Sequence, residues 1–238
     1  DCSWSRGLGD VYKRQISVAK TYAVDITADR TISSSSDGDQ YNIKTNNDID
    51  VIVTNNSTLE RNQKIFNVSA ASLTGSSITI HLGSSVIAET NSIFSNGAEL
   101  TITNTGTIEA TNSKAINVSN SDGVSITNNN NGVIKSNNNT ILGDAGTGAD
   151  NVTIDNSGEI YTTATGTESS AIVFANNDTG NTITNNSGGE IYSSGSESTI
   201  VLGVSSTLTN SGSIKNNKSV TNKACLLYTS PSPRDHEQ

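Results

Sequence analysis

The sequence predicts an all-β solenoid of about eight coils, each of 22–29 residues with three short strands. Three observations predict it: a repeated pair of aliphatic anchors, β-branched residues at most apolar positions, and Asn or Gly between the anchors. Ile and Val fit strands better than helices, whereas Asn, Gly and Ser are poor helix formers. One coil cannot bury its apolar residues alone, so we expect neighbouring coils to stabilise each other.

Five segments repeat one pattern clearly, and three earlier segments follow it more loosely. The clear ones are LTITNTGTIEA, VSITNNNNGVIKS, VTIDNSGEIY, NTITNNSGGEIY and STLTNSGSIKN. The loose ones are VDITADRTISS, IDVIVTNNSTLE and SITIHLGSSVIAE. Each segment holds a first and a second apolar anchor, and a third apolar cluster follows before the next unit. A β-sandwich would also give short strands separated by turns, but it would not give eight units of one pattern.

The three predicted strands of each coil are centred on these apolar positions. The first anchors are Ile26, Ile52, Ile80, Ile102, Ile126, Ile154, Ile183 and Leu208. The second anchors are Ile32, Leu59, Ile87, Ile108, Ile134, Ile160, Ile191 and Ile214. The third clusters are Ile43, Ile65–Phe66, Ile93–Phe94, Ile116–Val118, Ile141–Leu142, Ile172–Phe174, Ile200–Leu202 and Val220. Side chains alternate along a strand, so Leu100 and Ile102 are expected inside while Thr101 and Thr103 face solvent.

The turn between the first and second strands carries an Asn or Asp and then a Gly. The polar residues are Asn104, Asn128, Asp155, Asn185 and Asn210, and we interpret Asp155 as a variant of the Asn position. The glycines are Gly106, Gly132, Gly158, Gly189 and Gly212. Asn bonds its own backbone, and Gly adopts positive φ freely. Stacked Asn side chains are expected to pair from coil to coil as a ladder.

The two ends of the chain differ from everything between them. All Cys, Trp and Pro of the 238 residues lie there, and the chain has no Met. The N-terminal string SRGLGDVYKRQ can be back-translated into DNA. The reverse complement of that DNA, read one base out of frame, encodes CLLYTSPSPR, which begins at Cys225. Both ends resemble translated transposase sequencing adapters. We therefore expect residues 1–15 and 225–238 to be unstructured artefacts, and residues 16–224 to be the β-helix fragment.

Composition excludes some classes of protein. The net charge of −9 argues against a nucleic-acid partner, because no basic surface neutralises phosphates. No run of 18 apolar residues is present, so the sequence predicts no transmembrane helix. The two Cys are assigned to the adapter-like ends, and no cofactor, metal or catalytic residue is predicted.

The repeats, above all TITNTGTIEA, NNGVIKS, NSGEIYT and NSGSIKN, resemble those of autotransporter passenger domains. These are type V secreted proteins of Gram-negative bacteria. The resemblance covers nearly all of residues 16–224. It implies a right-handed parallel β-helix, location at the cell surface, outer membrane or outside the cell, and an outer-membrane translocator barrel in the full-length chain. It also implies a structural or adhesin-like stalk that contacts host or neighbouring-cell surfaces, including their glycans.

Candidate chemical groups favour structural interpretations. His81 is expected to be a solvent-facing strand residue, and no GxSxG motif accompanies it. Asp37 and Asp39 are expected in a turn, whereas Asp48 and Asp50 would share one strand face. The loop GDAGTGAD, residues 143–150, lacks the P-loop and calcium-repeat motifs and is predicted to be a turn.

The residue after each second anchor defines an outward column in a parallel stack. The column is Ser33, Glu60, Ala88, Glu109, Lys135, Tyr161, Tyr192 and Lys215. We predict that Glu109 faces Lys135, and that Tyr161 stacks on Tyr192 above the Lys215 stem. The two tyrosines are also a candidate platform for a sugar.

The function that the sequence favours is a non-enzymatic, adhesin-like stalk. One alternative is a pectinase-like β-helix enzyme acting on polysaccharide, which requires carboxylates such as Asp48 and Asp50 gathered with Lys44 on one face. Another is a carbohydrate-binding solenoid. An ice-binding solenoid needs a regular, flat Thr-x-Thr ladder, and the variable coil length argues against one.

Overall fold

The computed structural model describes residues 23–44, 47–54, 56–69, 73–97, 99–143, 148–174 and 177–216. The adapter-like ends and Val220 lie outside these residues. Every regular element assigned within the described ranges is a β-strand. Among these residues there is no helix with the length and apolarity needed to span a membrane.

Twenty-four strands follow one another along the described chain. The first eight are β1 (Ala23–Ile26), β2 (Arg30–Ile32), β3 (Ser36–Asp37), β4 (Gln40–Ile43), β5 (Asp50–Val53), β6 (Thr58–Arg61), β7 (Phe66–Val68) and β8 (Ser76–Ile80). The next eight are β9 (Ser85–Ala88), β10 (Ile93–Ser95), β11 (Leu100–Asn104), β12 (Thr107–Ala110), β13 (Ile116–Asn117), β14 (Ser125–Asn128), β15 (Val133–Ser136) and β16 (Ile141–Leu142). The last eight are β17 (Thr153–Asn156), β18 (Glu159–Thr162), β19 (Ile172–Val173), β20 (Thr182–Asn185), β21 (Glu190–Ser193), β22 (Ile200–Val201), β23 (Thr207–Asn210) and β24 (Ser213–Asn216).

The strands form three parallel sheets, and every third strand returns to the same sheet. Sheet 1 runs from β1 to β22, sheet 2 from β2 to β23 and sheet 3 from β3 to β24, with eight strands in each. Each coil therefore contributes one strand to every sheet, and six strands per sheet have a paired neighbour on both sides. The predicted parallel β-helix with three strands per coil is confirmed.

The core is a set of aliphatic and aromatic stacks between the three sheets. In sheet 2 the inward stack continues in register through Ile78, Ile102, Ile126, Ile154, Ile183 and Leu208. In sheet 3 it continues through Leu59, Val86, Ile108, Ile134, Ile160, Ile191 and Ile214. Sheet 1 adds Tyr41 against Phe66, with ring centroids 5.5 Å apart. Like residues thus bury one another from coil to coil, as the repeat predicts.

The predicted register of the loosely matching units was wrong. Val51 and Ile78 continue the stack to Ile102, whereas Ile52 faces outward beside Thr79. In sheet 3 Val86 is fully buried, and Ile87 faces outward beside Glu109. These units contain several adjacent apolar residues, and alternation alone does not choose between neighbouring positions.

The first predicted unit was also placed in the wrong sheet. Ile26 lies in β1 of sheet 1 and pairs with Ile43, which was predicted to belong to a third cluster. Ile32 lies in sheet 2 and pairs with Val53. The second strand of sheet 3 then pairs with Ser36–Asp37, which was expected to be a turn. Gly38, with φ of 93°, makes the turn one residue later.

The predicted Asn ladder is present at the end of the sheet 2 strands. Each side-chain Nδ2 donates to the Oδ1 of the next Asn, at 2.8 Å in all four pairs. The ladder residues are Asn104, Asn128, Asn156, Asn185 and Asn210. The interpretation of Asp155 as a ladder variant was wrong: it pairs with Thr127 and Thr184 on the outer face, and Asn156 takes the ladder position.

The turn glycines are required by space and not by positive φ. None of the five predicted turn glycines is among the described residues with positive φ. A Cβ at Gly158 would lie 2.3 Å from the carbonyl oxygen of Gly132 and 2.8 Å from Nδ2 of Asn128. Gly212 would bring a Cβ equally close to the carbonyl of Gly189. The expected reason for glycine is therefore corrected: the ladder Asn and the preceding turn fill the space a side chain would need.

Candidate functional site

The outer face of sheet 3 concentrates the charged and aromatic side chains of the stack. Its first outward column contains Glu60, Ile87, Glu109, Lys135, Tyr161, Tyr192 and Lys215. The second contains Thr58, Ser85, Thr107, Val133, Glu159, Glu190 and Ser213. The prediction of the first column holds for Glu60 and from Glu109 onward. The placement of Ala88 in this column was wrong, because Val86 is the buried anchor and Ile87 therefore takes the outward position. Ser33 was also wrong, since Asp37 is paired with Glu60.

Two of the predicted neighbour pairs in this column, Glu109–Lys135 and Tyr161–Tyr192, are in contact. Lys135 Nζ lies 2.9 Å from Glu109 Oε2, and the hydrogen bond from Lys135 to Glu109 raises the Lys135 pKa. The Tyr161 and Tyr192 rings stack with centroids 4.5 Å apart and an interplanar angle of 7°. Lys215 is in register with Tyr192 and pairs with Glu190 at 3.3 Å. The two tyrosines therefore share one face, as predicted.

The tyrosine stack presents edges and hydroxyls more than open ring faces. One face of each ring is covered by the other ring, and Lys135 and Lys215 occupy the neighbouring strands on the two sides. Burial is the main factor that raises the Tyr192 pKa, and Tyr161, Glu159 and Glu190 raise it further. The phenol of Tyr192 therefore remains a neutral hydrogen-bonding group well into the alkaline range.

Two polar grooves lie beside these columns. One, of about 320 Å³, is lined by Glu109, Lys135 and Tyr161 together with Thr111, Asn137 and Thr163 from the following turns. The other, of about 300 Å³, is lined by Glu159 and Glu190 with Asn130, Asn131 and the turn glycines. Both offer carboxylates, amides and hydroxyls at short spacing, which are the groups that bind polyhydroxylated ligands.

The acidic residues considered for catalysis do not gather with Lys44. Lys44 pairs with Asp25 at 3.4 Å, whereas Asp50 accepts a hydrogen bond from Ser77 Oγ at 2.6 Å. Asp48 lies outside β5, which begins at Asp50, and its φ of 57° is not that of an extended strand. The period-two argument that put Asp48 and Asp50 on one strand face was therefore wrong.

The remaining candidate residues serve local structure. His81 is exposed, as expected, but it follows the end of β8, and its Nδ1 lies 3.4 Å from Thr54 Oγ1. In the predicted turn at 143–150 only residues 143 and 148–150 are described. Ala149 N there donates to Asp178 Oδ1, and Asp150 N to Asp122 Oδ1. Across the described ranges no three His, Cys, Asp or Glu residues lie close enough to hold a metal ion.

Sequence reasoning missed two features of the stack. Glu159 and Glu190 stand in register on adjacent strands, directly beside the tyrosines. Arg61 points inward and is 8% exposed, with its guanidinium bonded to Gln40 Oε1 at 2.8 Å. The repeated string GEIY could have indicated the adjacent Glu159 and Glu190, whereas nothing in the segment TLER indicates that Arg61 points inward.

Comparison with known proteins adds no relative. The chain matches no protein-family model, no curated protein and no solved structure.

Proposed function

We propose that residues 16–224 are a fragment of a secreted or surface-displayed autotransporter passenger that acts as an adhesin-like stalk without a catalytic site. The observation that carries the proposal is the unbroken register of three eight-stranded parallel sheets. Coils about 4.8 Å apart make a rod about 40 Å long from the described strands. Such a rod holds its outward columns at fixed spacing away from an attachment point.

Export to the cell surface is supported by how the chain is built. Between its terminal segments it contains no Cys, so it can pass through an oxidising compartment without forming disulfides. Each coil contacts only its neighbours, so the chain can fold progressively as it emerges, without long-range pairing. Both properties suit a passenger delivered through an outer-membrane translocator.

Cell-surface glycans are the proposed partner of the sheet 3 face. The groove beside Glu109, Lys135 and Tyr161 offers a carboxylate, an amine and a phenol within two strand spacings. Sugars present hydroxyls at comparable spacing and are recognised by such convergent polar groups. Because each ring covers one face of the other, we expect hydrogen bonds to dominate over stacking.

Display on a bacterial surface tests this function. The whole 238-residue chain is inserted between a signal peptide and a translocator in a laboratory Gram-negative strain. Protease accessibility on intact cells measures exposure, and binding of the cells to a glycan array measures adhesion. We expect the chain to be exposed and to bind glycans, with binding lost in the double variant Lys135→Ala/Tyr161→Ala.

The matched control is Ser125→Ala, which changes the same coil as Lys135 but on the sheet 2 face. It should leave glycan binding unchanged. A chain that stays inside the cell contradicts the export proposal. A displayed chain whose binding is equally weakened by the control, or absent, contradicts the assignment of the groove.

A further inference from the structure

From β8 to β23 the outer face of sheet 2 differs from that of sheet 3 because it is almost entirely threonine and serine, whereas β5 continues the two columns with Asp50 and Ile52. One column contains Ser77, Thr101, Ser125, Thr153, Thr182 and Thr207. The other contains Thr79, Thr103, Thr127, Asp155, Thr184 and Thr209. Eleven of these twelve positions carry a hydroxyl, and three of the six strands, β11, β20 and β23, present Thr-x-Thr.

Variable coil length does not disturb this array. Its columns stay in residue-by-residue register from β8 to β23. The extra residues lie in the connections: 143–152 lead into β17, whereas 202–206 lead into β23. The sequence-based argument that variable coil length precludes a regular Thr ladder was therefore wrong, since the strands keep their register across connections of different length.

The Asn ladder gives independent support for a constant repeat. Each ladder Asn directly follows a residue of the second column, as Asn104 follows Thr103 and Asn128 follows Thr127. All four ladder bonds measure 2.8 Å, so adjacent coils approach by the same amount from β11 to β23. Strand geometry then places the hydroxyls about 4.8 Å apart along a column and about 6.7 Å apart between columns.

The chemistry of this face suits an uncharged, periodic ligand. Each Thr is β-branched and stiff at χ1, so its methyl and hydroxyl keep the spacing of the backbone. Ser77 bonds Asp50, and the other ten hydroxyls have no hydrogen-bond partner among the described residues. From β11 to β23 the array contains one charged group, Asp155, and no aromatic ring.

We propose that this threonine array binds the surface of ice crystals. Ice presents an uncharged lattice of water molecules, which the regular hydroxyls and methyls can order and anchor at many points at once. Individually weak contacts become strong when a rigid array engages them together. Flat crystalline polysaccharides offer a comparable mesh, but stacking of their rings calls for aromatic side chains, and this face has none among its described residues.

Ice recrystallisation, measured with the purified 238-residue chain, tests the proposal. We expect the chain to suppress crystal growth and Thr127→Lys to lose most of that activity, because a lysine stands out from the middle of the array. Thr107→Lys is the matched control, since it places the same side chain on sheet 3 one coil away. Asp155→Thr completes the second column and should increase the activity.

Circular dichroism shows whether each variant keeps its strands. We expect the strands to be kept, because Thr107, Thr127 and Asp155 all face outward. Absence of any effect of the parent chain on ice overturns the proposal. Equal losses in Thr127→Lys and Thr107→Lys overturn it as well. Binding to microcrystalline cellulose or chitin that Thr127→Lys abolishes, without any effect on ice, would overturn it too and assign the array to polysaccharide instead.

Discussion

Removing one amide from the middle of the Asn ladder should destabilise the whole stack. Asn156 is fully buried; its Nδ2 donates to Asn185 Oδ1 at 2.8 Å and its Oδ1 accepts from Asn128 Nδ2 at 2.8 Å. In Asn156→Ala, Nδ2 of Asn128 keeps its hydrogen bonds to the carbonyls of Gly132 and Glu159. It loses its bond to residue 156, which costs about 1 kcal/mol. Asn185 Oδ1 loses its donor while buried, which costs about 1–3 kcal/mol. The free energy of unfolding should therefore fall by about 2–4 kcal/mol.

Two matched variants separate hydrogen bonding from packing. Asn210 is exposed at the end of the ladder, so Asn210→Ala should cost less than Asn156→Ala. Asn156→Asp keeps the shape but places an oxygen against Asn185 Oδ1 and the carbonyls of Gly158 and Glu190. It should be the worst of the three at neutral pH, because a buried carboxylate then faces three acceptors where the amide donated.

Urea unfolding of the full chain, followed by circular dichroism at two pH values, measures these effects. Burial among acceptors raises the folded-state pKa of the carboxyl introduced by Asn156→Asp, so the stability of that variant should increase as the pH falls and protonation restores a donor. The parent chain should not show this increase. If Asn156→Ala were no less stable than Asn210→Ala, or Asn156→Asp matched the parent, the ladder would not hold the coils together.

Three further predictions follow from close contacts elsewhere. Gly158→Ala should lower the urea midpoint because its Cβ meets a carbonyl at 2.3 Å, whereas Gly166→Ala, with nothing within 4 Å, should leave it unchanged. The raised Tyr192 pKa means that the unfolded chain loses its phenol proton first. The free energy of unfolding should therefore fall as the pH rises above the ordinary tyrosine value of about 10, and Tyr161→Phe should lower the Tyr192 pKa in a phenolate absorbance titration. Phe66→Ala should cost about 3–5 kcal/mol, because the ring is fully buried, and thermal unfolding beside a Phe94→Ala control on the outer face measures the difference.

The clear repeats were predictable because one aliphatic residue stands alone between two polar ones. In TITN the Ile has Thr on both sides, so alternation leaves one choice of buried residue. In IDVIVTN three adjacent aliphatic residues satisfy alternation in two registers, and the pairing of Val51 with Ile78 decides between them. The register of such a unit depends on its neighbours in the stack, which no single segment contains.

The Asn and Gly content of the turn was predicted correctly, but the physical reason given for its glycines was wrong. Asn and Gly recur there because the buried amide bonds the next coil and leaves no volume for a Cβ, not because the backbone needs positive φ. That reason also explains Asp155. A carboxylate cannot donate to the next Asn, so Asn156 occupies the ladder and Asp155 faces solvent. Counting donors at the turn would have placed both residues from sequence alone.

The separation between inward and outward residues determines where function can reside in this molecule. Inward positions are tied to the coils above and below, so a change there alters the stack, as the Asn156 variants are designed to show. Outward positions contact neighbouring outward side chains of the stack, and the outer faces of sheets 2 and 3 carry different side chains on one scaffold. Sheet 3 carries the charges and tyrosines, and sheet 2 carries a nearly neutral threonine mesh. Substitutions such as Lys135→Ala and Thr127→Lys should therefore act on different ligands while leaving the same fold intact.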